Sequence, residues 1–239
     1  MLITASFKSS GENPMHHTSK HVQGTELFPS SSIRIQGNSG KPSLENGGFK
    51  LKSGQTRSVH APDNWAGRFW SRQWCNNDTG QSLVGNCNGV ECQGRGGNPP
   101  VTLVEITLRG SGNQDFYDIS LVDGFNTFAT IRPINGQGRC KAIKCKSRIN
   151  NICPNALKFN TPRGVLGCMS SCLKYSNNDQ YCCRNKFGTR ETCKVDQWPN
   201  PNSAKLFKQH CPDAYSYAYD DHSSTFTCRA EKYKITFGG

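Results

Sequence analysis

The sequence predicts a mainly β protein, an antiparallel sandwich or flattened barrel that carries a stapled, loop-rich lobe. Two observations predict it. Over most of the chain, apolar residues recur every second position in short runs broken by turn residues. Over residues 140–211, nine of the thirteen cysteines crowd among Asn and Lys with little periodicity. A third observation fits both: a hydrophobic content of 34% over 239 residues is modest, so cross-links are expected to supplement the core.

Residues 1–40 are rich in Ser, Gly, Asn and His and read as loop or disorder, a segment separate from the domain at 41–239. His16, His17 and His21 stand at helical spacing, but nothing around them forms a helix, so they read as a solvated tail rather than a metal cluster. From about residue 43, β segments follow. Phe49 and Leu51 alternate with Lys50 and Lys52, and Arg68, Trp70 and Arg72 alternate with Phe69 and Ser71. In Thr102–Leu108 the apolar Val104, Ile106 and Leu108 share one face while Glu105 points the other way. Ile119 and Leu121 precede a turn signal at Asp123-Gly124. In the lobe, a short amphipathic helix is predicted over Ser203–Gln209, with Leu206 and Phe207 docking inward. Tyr215, Tyr217 and Tyr219 read as one face of a later strand, as do Tyr233, Ile235 and Phe237 at the end.

Cysteine spacing sets the compartment. Zinc sites use repeated C-x2-C pairs. Here the pairs are irregular: Cys87 and Cys92, Cys140 and Cys145, Cys168 and Cys172, then adjacent Cys182-Cys183. That pattern fits structural disulfides in a secreted protein, with no metal and no cofactor. The segment Met1–Phe7 is too short and polar for a signal-peptide core, so a natural leader is expected to be missing or mis-assigned. No apolar run reaches the length of a membrane span. A net charge of +12 suits attraction to an anionic wall or membrane surface. No Lys/Arg run is dense enough for a nucleic-acid arm, so nucleic acid is not the expected partner. Asn77-Asp78-Thr79 is an N-glycosylation sequon, consistent with secretion.

Several long segments then carry a resemblance. They are Trp65-Ala-Gly-Arg-Phe-Trp-Ser-Arg-Gln-Trp-Cys75, Cys87-Asn-Gly-Val-Glu-Cys92, Pro99-Pro-Val-Thr-Leu-Val-Glu105, Asp115-Phe-Tyr-Asp-Ile-Ser-Leu-Val-Asp-Gly-Phe-Asn126, Gln180-Tyr-Cys-Cys183 and Cys211-Pro-Asp-Ala-Tyr-Ser-Tyr217. Together they resemble the thaumatin-like proteins, plant pathogenesis-related family 5, from about residue 43 to the end. The resemblance implies a β sandwich with a large disulfide-rich lobe and a small disulfide loop. It also implies the pairs Cys87–Cys92, Cys140–Cys228, Cys145–Cys211, Cys153–Cys168, Cys172–Cys182 and Cys183–Cys193. The family has sixteen cysteines. Of the three absent here, one belongs to a first strand that residues 1–40 do not resemble. Its partner belongs near Thr236–Gly239. The third falls at about Ser82, opposite Cys75, which is then expected to remain a thiol. Loss of the first strand would expose a neighbouring strand edge. Residues 22–37 are expected to substitute poorly for it, or the chain to be marginally stable.

Acidic residues cluster where the resemblance places a cleft: Glu105, Asp115, Asp118 and Asp123 fall within nineteen residues. By resemblance the cleft residues are Arg68, Glu105, Asp118, Asp123 and Asp220, with Asp213 and Asp221 as nearby alternatives to the last. Crowded carboxylates push their pKa values apart, and glycoside hydrolysis needs one protonated and one ionised carboxylate. On that reading Glu105 donates the proton, and Asp123 or Asp118 acts as base or nucleophile. Against it, acids at turns often cap backbone, and Arg–carboxylate pairs often only brace a fold.

The leading expectation is a secreted, monomeric plant defence protein. It would act against fungi by binding β-1,3-glucan of the wall and perturbing the fungal surface, with the fungal membrane a further target. The alternatives are a weak endo-β-1,3-glucanase using Glu105 and an Asp, and an inhibitor or partner-binding module.

Overall fold

The computed structural model describes residues 1–7, 31–76, 79–89 and 91–238. The histidines of the N-terminal segment and the Asn77 sequon lie outside the described residues. Thirteen strands are seen among them. The first half holds β1 (Leu2–Phe7), β2 (Ser31–Gly37), β3 (Gly48–Leu51), β4 (Thr56–His60), β5 (Ala66–Cys75), β6 (Ser82–Val84), β7 (Leu103–Thr107) and β8 (Asp115–Ser120). The second half holds β9 (Ala129–Gln137), β10 (Ile143–Cys145), β11 (Lys158–Thr161), β12 (Gly164–Cys168) and β13 (Phe226–Phe237). Four short helices, α1 (Ile149–Ile152), α2 (Ser171–Lys174), α3 (Ser203–His210) and α4 (Asp221–Ser224), all belong to the second half.

The mainly β class is as predicted, but the two layers are less separate than a plain sandwich. Eleven strands form one sheet in the order β10-β9-β13-β8-β7-β5-β2-β3, with β1 joining β13 to β4 and β6 flanking β5. The joint is β13. Its start pairs with β8 (Phe226 opposite Tyr117), and the remainder pairs with β9 and, in parallel, with β1. Inward positions slip by one residue where it crosses: Cys228 and Ala230 are buried, then Tyr233, Ile235 and Phe237. A strand with period two cannot serve two faces without such a slip.

One core lies inside this wrapped sheet. Ile3, Ile33, Ile35, Val59, Phe69, Val104, Ile119, Ile131, Tyr233, Ile235 and Phe237 are all fully buried in it. Strand β5 is covered on both faces. Phe69 enters the main core, while Trp70 packs with Val101, Leu103, Cys87 and Cys92 under the small disulfide loop. Arg72 is also buried there and donates to the carbonyl oxygens of Gly80 (2.7 Å) and Gly89 (2.9 Å) and to Ser32 Oγ (3.1 Å). Its donors satisfy backbone acceptors that would otherwise be stranded, so the guanidinium pins the loop to the sheet.

Two readings of the sequence are corrected here. Residues 1–40 are not all loop: β1 pairs in parallel with β13 and antiparallel with β4, and β2 lies between β3 and β5. The edge expected to be bare is therefore covered, with Ile3 and Ala5 buried from β1 and Ile33 and Ile35 from β2. Residues 31–37, the part of 22–37 within the described residues, enter the sheet fully. Second, Tyr215, Tyr217 and Tyr219 do not form a strand. They stand in an irregular connection with a single bridge, Ser120 to Tyr215. Tyr217 packs edge-on against Trp198. The Tyr219 hydroxyl donates to the Gly188 carbonyl.

The lobe is stapled. Six disulfides link Cys87–Cys92, Cys140–Cys228, Cys145–Cys211, Cys153–Cys168, Cys172–Cys182 and Cys183–Cys193, the pairs that the resemblance implies. Cys75 is a buried thiol outside them, 3.5 Å from Ser32 Oγ. Helix α3 forms where predicted, one residue longer, capped by Asn202 and burying Ala204 and Phe207.

Candidate functional site

Three neighbouring strands build the site. Arg68 on β5 stands opposite Glu105 on β7, and Glu105 stands opposite Asp118 on β8. Phe69, Val104 and Ile119, one position along each strand, point into the core, so the row Arg68–Glu105–Asp118 occupies the other face. Directly opposed residues have Cβ atoms about 5 Å apart. The row is thus a cation, an acid and a second acid at successive cross-strand steps, all half-buried.

Asp123 joins from the turn after β8. The Gly124 N–H donates to the Leu121 carbonyl (2.9 Å), and Gly124 takes a φ of +83° that a side chain would strain. Buried Asn126 anchors the far end of that turn: its Oδ1 accepts from the Thr102 N–H (2.8 Å) and its Nδ2 donates to the Ser71 carbonyl (3.0 Å). The Asp-Gly-Phe-Asn run therefore holds an acid on a turn locked to β5 and to the start of β7.

Burial pushes all three carboxyls above the usual carboxylate range. For Glu105 it acts first, opposed by the Arg68 charge and reinforced by Asp123. For Asp123 it is again opposed by Arg68. Asp118 rises furthest, because burial, Glu105 and Asp221 all act in one direction. The expectation placed the proton on Glu105; the surroundings favour it more strongly on Asp118.

The last acid is resolved by its neighbours. Asp220 is buried in a polar knot, accepting from the Ser216 N–H (3.0 Å), Ser216 Oγ and Ser223 Oγ, with Lys208 Nζ at 2.7 Å. Lys208 also donates to the Ala214 carbonyl (2.8 Å) and Ser224 Oγ (2.9 Å), so this pair holds residues 212–224 in place. Asp221 is the acid whose charge reaches Asp118, and it accepts from the Tyr215 hydroxyl at 3.0 Å. Burial pushes that phenol up to about 12. Asp213 is taken by Lys141 at 2.6 Å. Asp115 is fully buried, accepting from the Arg109 N–H and the Tyr233 hydroxyl at 2.9 Å each. Sequence spacing could not separate Asp220 from Asp221, because adjacent residues differ only in which way the turn points them.

Two atoms of the row are conspicuous. Arg68 Nε and Asp118 Oδ1 are buried, yet neither has a hydrogen-bond partner among the described residues. Buried polar atoms are almost always satisfied. These two mark the opposite ends of the row, one a donor and one an acceptor or, when protonated, a donor. The described residues hold no cluster of metal-binding side chains.

Known proteins share both the sequence and the fold. Residues 28–239 match the family described as Thaumatin family. Among curated relatives, a pathogenesis-related protein 5 of Arabidopsis thaliana is 49% identical over 82% of this chain and 80% of its own length. Thaumatin-like protein 1 of Prunus persica is 47% identical with the same coverage. A Prunus avium protein named glucan endo-1,3-beta-glucosidase is 42% identical over 82% of this chain and 81% of itself. Among solved structures, a laminaripentaose-producing β-1,3-glucanase bound to laminaritetraose superposes with a TM-score of 0.61. It covers 98% of this chain and 97% of its own, at 12% identity, a likeness of fold.

Proposed function

Because the chain belongs to the thaumatin family, we propose that it is a secreted plant defence protein that binds β-1,3-glucan of fungal walls through the acidic row and so perturbs the fungal surface. Six disulfides call for an oxidising compartment. The observation that carries the reading is the pair of unsatisfied buried atoms at the ends of the row, Arg68 Nε and Asp118 Oδ1. A sugar hydroxyl both donates and accepts, so neighbouring hydroxyls of one glucan chain can pair with the two half-buried side chains at once, and a small turn of either side chain brings its unsatisfied atom within reach. Hydrogen bonds to charged groups are the stronger kind.

The test is titration of the whole protein with soluble laminarin, followed by calorimetry. Arg68→Ala is expected to weaken binding about tenfold or more, the value of one charged hydrogen bond. Unchanged affinity in Arg68→Ala and Asp118→Asn would remove the row from glucan binding.

Hydrolysis is the second reading, favoured by the opposition of Glu105 and Asp118. Their cross-strand spacing suits the short carboxyl separation of retaining glycosidases. Here Asp118 would carry the proton, and Glu105, beside Arg68, would be the ionised partner. Reducing ends released from laminarin by the native chain, and lost in both Glu105→Gln and Asp118→Asn, would establish it. Binding without release leaves the binder.

A further inference from the structure

On the far side of the core from the acidic row, the sheet presents an outward face of opposite character. Inward residues of β1, β4, β9, β10 and β13 (Ile3, Val59, Ile131, Ile143, Ile235) are buried in the same core that receives Val104 and Ile119. Their alternate positions therefore face solvent on the opposite side. Those positions carry Lys144 on β10, Arg132 on β9, and Lys232 and Lys234 on β13. The neighbouring outward positions hold Thr130, Thr4, Thr56, Ser58 and His60. No acid occupies an outward position there. Glu231 sits at the slip in β13 and accepts from Asn135 Nδ2 (2.7 Å).

Arg132 and Lys234 are directly opposite each other across β9 and β13. Like charges in that arrangement destabilise a sheet. Neither they nor Lys232 and Lys144 form an ion pair among the described residues. A local rule broken without a structural return points to a use outside the fold.

We propose that this cationic, hydroxyl-rich face is a docking surface for an acidic polysaccharide, a polyuronate chain with a carboxylate on each sugar. Charge complementarity selects an anion. The face lacks outward aromatic side chains on which bases of a single strand would stack. Among its described outward positions the large apolar side chain is Ile134, opposite Lys232 and partly covered, too little to seat a protein in a bilayer; the exposed large hydrophobic among the described residues is Ile152, on α1. What it offers is rows of cations beside short hydroxyls on strands about 4.8 Å apart, suited to a hydrated polymer of carboxylates and hydroxyls. Binding there leaves the acidic row open on the other side, so one molecule could hold a charged matrix and a neutral glucan together.

The experiment is retention of the full-length chain on immobilised de-esterified polygalacturonate, with Kd measured in low salt and again at 0.15 M. The triple variant Arg132→Gln, Lys232→Gln, Lys234→Gln is expected to weaken binding about tenfold, the sum of three exposed ion pairs. A control triple variant in the lobe, Lys186→Gln, Arg190→Gln, Lys194→Gln, removes the same charge from exposed positions and is expected to change Kd far less. Equal losses in the two would reduce the effect to net charge and overturn the proposal. So would retention on vesicles of anionic phospholipid without retention on polygalacturonate. Lys234→Glu separates folding from docking: it places an acid opposite Arg132, so the fold should gain stability while polyuronate binding falls. A parallel fall in thermal stability would overturn the argument from the like-charged pair. Laminarin binding should be unchanged in all of these, so this proposal and the glucan reading stand or fall apart.

Discussion

The carboxyl of Asp118 is one strand further from the Arg68 guanidinium than Glu105 is, and it meets the charges of Glu105 and Asp221. Its folded-state pKa lies above the ordinary 3.8, so the folded chain binds this proton more tightly than the unfolded chain does. Stability linked to this group is then fully present below 3.8 and is lost as pH rises through the raised value. Asp118→Asn removes that loss. The variant should melt above the parent at pH 7, by about 2–4 °C for each kcal/mol relieved, and alongside it at pH 3. Differential scanning calorimetry at the two pH values checks this. A lower melting temperature at pH 7 would mean that the carboxylate is better stabilised than its neighbours indicate. The strain is of the kind that functional sites carry, since binding a ligand hydroxyl would repair it.

At the level of strands, Cys75 near the end of β5 is the Cα partner of Ser82 on β6. Cross-strand partners have Cα atoms about 4.5–5.5 Å apart, inside the range that a disulfide spans. Ser82→Cys should therefore close a seventh bridge. The titratable thiol of the denatured, non-reduced chain should disappear, and closure of so short a loop should add about 2 kcal/mol. A count of two thiols would show that the side chains diverge. The resemblance located this pair because the segments around Cys75 and Cys87 are long and specific. Periodicity located β3, β5, β7 and the end of β13: Phe49 and Tyr233 alternate in burial with their neighbours, while beside Phe69 and Val104 the second face is covered too, by Trp70 and Leu103. It failed at β1, where Ile3 and Ala5 do alternate with Thr4. Six residues beside a Ser- and Gly-rich stretch carry too little apolar signal, and their burial comes from β13, more than two hundred residues away. It failed again at Tyr215–Tyr219, where alternate tyrosines are set by packing on Trp198 and on a carbonyl rather than by a ladder.

For the molecule as a whole, charge is segregated by the core. Acids gather on one side of the wrapped sheet and cations on the other, although the chain is basic overall at +12. Long-range attraction to a polyanion would then orient the protein before contact, an effect that salt weakens over about 10 Å.

The bridges are segregated too. Five of the six fall within residues 140–228, enclosed by Cys140–Cys228, and Cys87–Cys92 closes a small ring upstream. None of the six links the chain before residue 140 to the chain after it. Strands β1 to β9, most of the wrapped sheet, are thus joined covalently to the stapled remainder by the main chain alone; hydrogen bonds and packing do the rest. Cut once between residues 140 and 228, the chain should still run as a single species on a denaturing, non-reducing gel. Cut once between residues 93 and 139, it should fall into two pieces as soon as it is denatured. The lobe can therefore survive a peptidase that reaches its loops, whereas a single cleavage upstream leaves the larger part of the sheet dependent on folding alone.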